Sequence, residues 1–140
     1  MNAEPTWTND WLLFTEKLER ALQGGASNDN LAILFGGHQI HWLGTIEKIN
    51  IDELSANVNV ALPKRTVILA NGESIMLDGL TLGIAEHSES VWQGFEPGDE
   101  VVFDGKFGEP KSPFSCVEVR ALRGGGNIIM IRIGNAVPKK

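Results

Sequence analysis

The sequence predicts a mainly β protein, a small barrel of five to six strands with an amphipathic helix at its N-terminus. Three observations carry this. In residues 97–107, PGDEVVFDGKF, a Pro-Gly-Asp turn leads into strict alternation, with Val101, Phe103, Gly105 and Phe107 on one face and Val102, Asp104 and Lys106 on the other. Gly105 falls on the inward face, and a glycine inside a strand marks a bulge or a sharp bend. A second long strand repeats the device: Ile40, Trp42, Gly44 and Ile46 share one face, opposite His41, Leu43, Thr45 and Glu47. Repeated bending is what a barrel needs and a flat sheet does not. The third observation is a change of period, from helical spacing before Gly24 to alternation after Leu31.

Residues 6–23 read as the helix. Trp7, Trp11, Phe14, Leu18 and Leu22 form one stripe with Ala21 beside it, and Glu16 and Arg20 can pair on the wet face. Thr6 or Thr8 can cap it, and Asp10 suits its first turn. Two tryptophans on one stripe argue for a lid over the barrel rather than a free docking helix. Gly24-Gly25 ends the helix, and residues 27–30 read as loop. Residues 31–35 read as a short strand or the entry to the first long strand, which runs to about Ile49. Val58, Val60 and Leu62 form the next inward set, and Pro63-Lys64-Arg65 reads as a cationic turn tip. Residues 67–70 and 74–77 flank Asn71-Gly72, the strongest hairpin signal in the chain, and Asp78-Gly79 is expected to break the return strand.

From Leu80 to Trp92 two readings stay open. Leu80, Leu82 and Ile84 alternate as a strand, while residues 86–93 fit one helical turn. After the loop GEPKSP, residues 116–122 read as a strand with Val117, Val119 and Ala121 inward and Glu118 and Arg120 outward. Gly124-Gly125-Gly126 reads as a flexible joint, residues 128–133 as a final strand, and a Pro-Lys-Lys tail follows.

The residues that repeat across these strands resemble the OB-fold, a five-stranded, partly open Greek-key barrel. They are Trp42-x-Gly44-x-Ile46 in the first strand, Val58 and Val60 in the second, and Gly98-Asp99-x-Val101-x-Phe103-x-Gly105-x-Phe107 in the fourth, with Val117 and Val119 as the fifth. The pattern is most similar to the anticodon-binding-like OB domains. It covers roughly residues 38–122, so the N-terminal helix and an extra strand over 127–133 lie outside it. The resemblance implies a module that binds oligonucleotides, oligosaccharides or proteins.

Composition narrows the setting. A chain of 140 residues suits one domain, spanning 1–140, and 42% hydrophobic with 21% charged residues is the profile of a folded protein. No apolar run approaches ~18 residues, so no spanning helix is expected. The acidic start MNAEPTWTND is unlike a signal peptide, and a single cysteine, Cys116, allows no internal disulfide; a cytoplasmic location is the expectation. The net charge of −6 is uneven: residues 66–101 hold seven acids and no Lys or Arg, whereas residues 102–140 hold seven bases and three acids.

A site for single-stranded nucleic acid needs cations along a groove and rings on which bases stack. Lys64, Arg65, Lys106, Arg120 and Arg123 are the candidate cations, with Lys106 and Arg120 expected on strands that lie close together. Trp92, beside a turn, is the candidate ring; Trp42, Phe103 and Phe107 fall on apolar faces and read as core. Protein binding is the alternative, as an adaptor or inhibitor, through the acidic 66–101 surface or through the apolar edge at 128–133, where a second copy could also pair. No catalytic group, cofactor or metal is expected. His38 and His41, three apart on a strand, point to opposite faces, and Cys116 has no neighbouring base. The expectation is a non-enzymatic binding module with no membrane partner.

Overall fold

The computed structural model describes residues 5–109 and 116–139. A 3-10 turn at Thr6–Asn9 precedes helices α1 (Trp11–Gln23) and α2 (Asn28–Phe35). Three long strands follow, β1 (Gln39–Ile51), β2 (Ala56–Ile68) and β3 (Ser74–Ile84), then a single helical turn, α3 (Glu89–Trp92). The chain continues as β4 (Glu100–Phe107), β5 (Val117–Ala121), β6 (Asn127–Ile131) and β7 (Ile133–Lys139). Five strands form a ring in the order β1-β2-β3-β7-β4, and β1 pairs back onto β4. The expected mainly β, OB-like barrel with its N-terminal helix is therefore what the chain builds.

The ring corrects one strand. The Val117/Val119 segment is not the fifth barrel strand; it pairs with β6 in a separate two-stranded hairpin. The fifth strand is β7, which takes Ile133 from the end of the expected strand 128–133 and runs on into the Pro-Lys-Lys tail. Ile133, Ala136 and Pro138 are buried, which is not period two. The register against β4 shifts between Asp104 and Lys106, and Asn135 takes φ 53°, so a bulge at Gly134-Asn135 hides the alternation. The seam between β3 and β7 is the weakest in the ring: it is parallel, and only Leu82–Ile133 and Ile84–Ala136 pair across it.

Other boundaries move for local reasons. Residues 31–35 belong to α2, because Ser27 and Asn30 form a capping box that starts a helix where a loop was expected. Pro63-Lys64-Arg65 is not a turn. β2 runs through it with a register shift between Ala61 and Arg65, where a proline costs no ladder bond, and the Trp11 indole donates to the Pro63 carbonyl at 2.9 Å. Asp78-Gly79 does not break β3 either. A Cβ at Gly79 would stand 2.8 Å from the Val60 carbonyl oxygen, so the glycine marks a close approach of two strands rather than a stop. The open reading at 80–92 resolves as strand to Ile84 and then the turn of α3.

The helix is a lid. Trp7, Trp11, Phe14, Leu18 and Leu22 are all buried. Trp11 and Phe14 pack on the inward Trp42 with ring centroids 5.3 and 5.0 Å apart, and Trp7 lies 6.0 Å from Phe107. The β1–β2 ladder stops at Thr45–Ala61, and beyond it α1 lies along the free side of β2. There Glu19 accepts from the Ile68 N–H at 2.8 Å and from Arg65 at 3.0 Å, and Gln23 donates to the Ile68 carbonyl. The Ile68 N–H, helped by Arg65, holds the Glu19 carboxyl below its ordinary range.

A candidate binding groove between barrel and hairpin

The hairpin of β5 and β6 is pinned to the rest of the chain by side chains, and the pins show which way its main-chain groups point. The Asn28 side chain donates to the Val119 carbonyl at 3.1 Å and accepts from the Val119 N–H at 2.8 Å, standing where a neighbouring strand would. Val119 is paired with Ile129. In an antiparallel ladder a residue whose groups point outward faces a partner whose groups also point outward, on the opposite edge. The N–H and C=O of Ile129, and of Ile131 two residues on, are therefore directed away from β5 and toward β3.

The same parity holds on β3. Both the N–H and the C=O of Ile68 are taken by α1, so the groups of its partner Ser74, and of Met76 two residues on, point to the far edge of β3. No ladder joins that edge to β6. The strands meet only at the ends: the Glu73 carboxylate accepts from the Asn127 N–H and side-chain amide, both at 2.8 Å, and Leu82 pairs with Ile133. Those two bonds, with a third from Asn71, hold the Glu73 carboxyl below its ordinary range.

Between these ties lies a groove of about 430 Å³, within the size range of ligand sites. Leu77, Leu80 and Thr81 line it from β3, and Ile129, Ile131 and Arg132 from the hairpin side. Glu118, expected outward, is buried beneath the hairpin, where Arg120 donates to it at 2.9 Å and Arg132 at 3.4 Å. A carboxylate can go under only because two guanidinium groups meet it there.

The expected nucleic-acid residues do not converge. Trp92 is no stacking platform: it is fully buried, and its indole donates to the Ala136 carbonyl at 3.0 Å. Its place beside a turn suggested exposure, but α3 folds inward and uses the ring as a plug. Lys64 is exposed at the irregular part of β2, Arg65 is held by Glu19, Lys106 lies 3.3 Å from Glu109, Arg120 is engaged by Glu118, and Arg123 is exposed beside the hairpin turn. Lys106 and Arg120 are not on neighbouring strands, since β5 pairs with β6 alone. Among the described residues every aromatic ring is buried except that of Phe95, which is half-buried. Lys111, counted in the basic segment, lies outside the described residues. Arg132, Leu77 and Leu80 were not singled out by sequence; their only signal is membership of strands whose separation no local pattern records.

The other titratable groups serve local structure. His41 pairs across strands with Asp104, and His38 packs edge-on against Trp7 at 5.1 Å, so the two histidines work apart. Among the described residues no three His, Cys, Asp or Glu side chains gather as a metal site, and no helix is long and apolar enough to cross a membrane. Burial pushes the Cys116 thiol up from 9.0 to about 11. The native thiol therefore keeps its proton where the unfolded one loses it, and this group's contribution to stability is lost as pH rises from about 9 to about 11. Cys116→Ser should remove that part of the alkaline decline in urea titrations. In the wild type a thiol reagent at pH 8 should label the native chain far more slowly than the urea-unfolded one; equal rates would show the thiol to be open.

No protein-family model matches this sequence, and no curated protein does.

Proposed function

We propose that this protein is a non-enzymatic protein-binding module that takes up a segment of another polypeptide in the groove between β3 and the hairpin. One observation carries the reading: two strand edges face each other across an apolar floor with no ladder between them. Main-chain groups left over at strand edges are the usual template for added polypeptide. The strand at 128–133, expected to be an open edge, is hemmed by β5 on one side and faces β3 on the other, so a second copy pairing with it would have to enter the same groove.

Single-stranded nucleic acid is the second reading. It is favoured by the OB-like ring and by the polar outer face of β1, β2 and β3. On that face Asn50 donates to Asn57 at 2.8 Å and Thr81 to Asn59 at 3.0 Å, beside the exposed Lys48. It ranks below the first because three of the five candidate cations (Arg65, Lys106 and Arg120) are engaged by carboxylates, as is Arg132 in the groove, and among the described residues no ring stands exposed.

The test is a pair of titrations. A random-peptide phage library panned on the full chain should yield binders that lose affinity in an Ile129→Asn/Ile131→Asn variant whose circular dichroism is unchanged. Labelled mixed-sequence single-stranded DNA and RNA, followed by anisotropy at low and moderate salt, should not bind. Steeply salt-dependent oligonucleotide binding, weakened by Lys106→Glu or Arg123→Glu, with no peptide selected, would replace the first reading by the second.

A further inference from the structure

We infer that the groove is a strand-addition slot of fixed polarity, in which an extended peptide runs antiparallel to both β3 and β6 with an acidic residue on the N-terminal side of an apolar one. This rests on the polypeptide reading above and states how the segment is held.

The slot follows from unequal lengths of chain between two fixed ties. Glu73 is tied to Asn127, and Leu82 to Ile133. β3 covers that interval in nine residues, whereas the hairpin side covers it in six. At about 3.3 Å per residue the two paths are about 30 and about 20 Å long, so β3 must bow away from β6. The register shift between Ala61 and Arg65 on β2 lies along the same interval and takes up the bow on the other side of β3. The bow leaves the groups of Ser74 and Met76 on one bank and of Ile129 and Ile131 on the other without ladder partners.

Polarity follows from the same ties. Residues 73 to 82 and 127 to 133 run in one direction, because β7 is parallel to β3 and continues β6 after the single residue Arg132. One added strand antiparallel to both banks makes two antiparallel ladders, the more stable pairing, whereas the reverse orientation makes two parallel ones. The side chains sort the sequence. Leu77, Leu80 and Ile131 offer the inserted residue an apolar floor. Arg132 stands at the Leu82–Ile133 end, where an antiparallel segment has its N-terminal side. Its contacts to Glu118 are long, 3.4 Å, and Arg120 already holds the same carboxylate at 2.9 Å, so two cations share one acid. An incoming carboxylate matches the surplus charge.

The probe is the blocked peptide acetyl-Ser-Glu-Val-Ile-Val-Ser-amide, titrated into the full chain and read by isothermal calorimetry and by amide exchange. It should bind, and the amides of Ile129, Ile131, Ser74 and Met76 should gain protection together. The reversed sequence and a backbone N-methylated version should each bind about tenfold more weakly or worse, the loss of one or two main-chain hydrogen bonds. Arg132→Lys, which keeps a charge for Glu118, should weaken the probe relative to a peptide with Gln in place of Glu. Binding with those amides unprotected, or with N-methylation tolerated, would overturn strand addition while leaving the polypeptide reading intact. If neither this probe nor any library peptide binds, the polypeptide reading itself falls.

Discussion

Trp92→Ala should lower the stability of the fold by about 3–5 kcal/mol, the range for removing a large buried aromatic side chain. The ring is fully buried although it comes from a helix of only four residues. So short a helix has no stability of its own, so packing must hold it. Its indole donates to Ala136, whose carbonyl also accepts from the Ala85 N–H at 3.0 Å. Trp92 thus ties α3 to β7 beside the two-pair seam between β3 and β7, where the ring has least to spare. Trp92→Phe should cost less, about 1–2 kcal/mol, because it keeps most of the apolar contact and Ala136 keeps one donor. Urea unfolding followed by circular dichroism would check both: the midpoint should fall with the slope unchanged. A Trp92→Ala midpoint equal to wild type would mean that the ring is not the plug described.

Gly105→Ala should be nearly as damaging for its size. Gly105 is an inward position of β4, paired with Ile40 of β1. A Cβ built there would fall against the Cγ2 methyl of Ile133, with Ile40 Cδ1 3.5 Å away. The methyl of a β-branched residue close to its backbone cannot swing aside, so either β7 shifts or the strand bends. Overpacking of this kind costs about 1–3 kcal/mol. Because Ile133 is also the tie between β7 and β3, the strain should reach that seam. The decisive measurement is a double-mutant cycle with Ile133→Ala, which removes the offending methyl. The pair should be less destabilised than the sum of the single changes, whereas additivity would place the cost of Gly105→Ala elsewhere.

Gly105 and Trp92 differ in how much their neighbours in sequence reveal about them. Gly105 was legible: an inward glycine in an alternating strand announces a crowded bend, and the crowding partner is real. Trp92 was not, because nearness to a turn says nothing about where the following helical turn folds. The same contrast runs through the candidate site. The apolar strand at 128–133 stood out, but its neighbour did not. The groove depends on Asn28 meeting Val119, 91 residues away, and on Glu73 meeting Asn127, 54 residues away. Lys106 and Arg120 show the converse error: both are exposed or half-exposed, yet the strands that carry them do not adjoin.

The β character, the inward faces of β1, β2 and β4, and the buried stripe of the N-terminal helix are legible in the residues alone, because side-chain period is a local property of a strand or helix. That β7 rather than β5 closes the barrel, that Trp92 is a plug, and that β3 and β6 stand apart emerges only once the chain is folded. Those outcomes rest on bulges and side-chain ties between distant residues, which change which strands meet without leaving a period in the sequence.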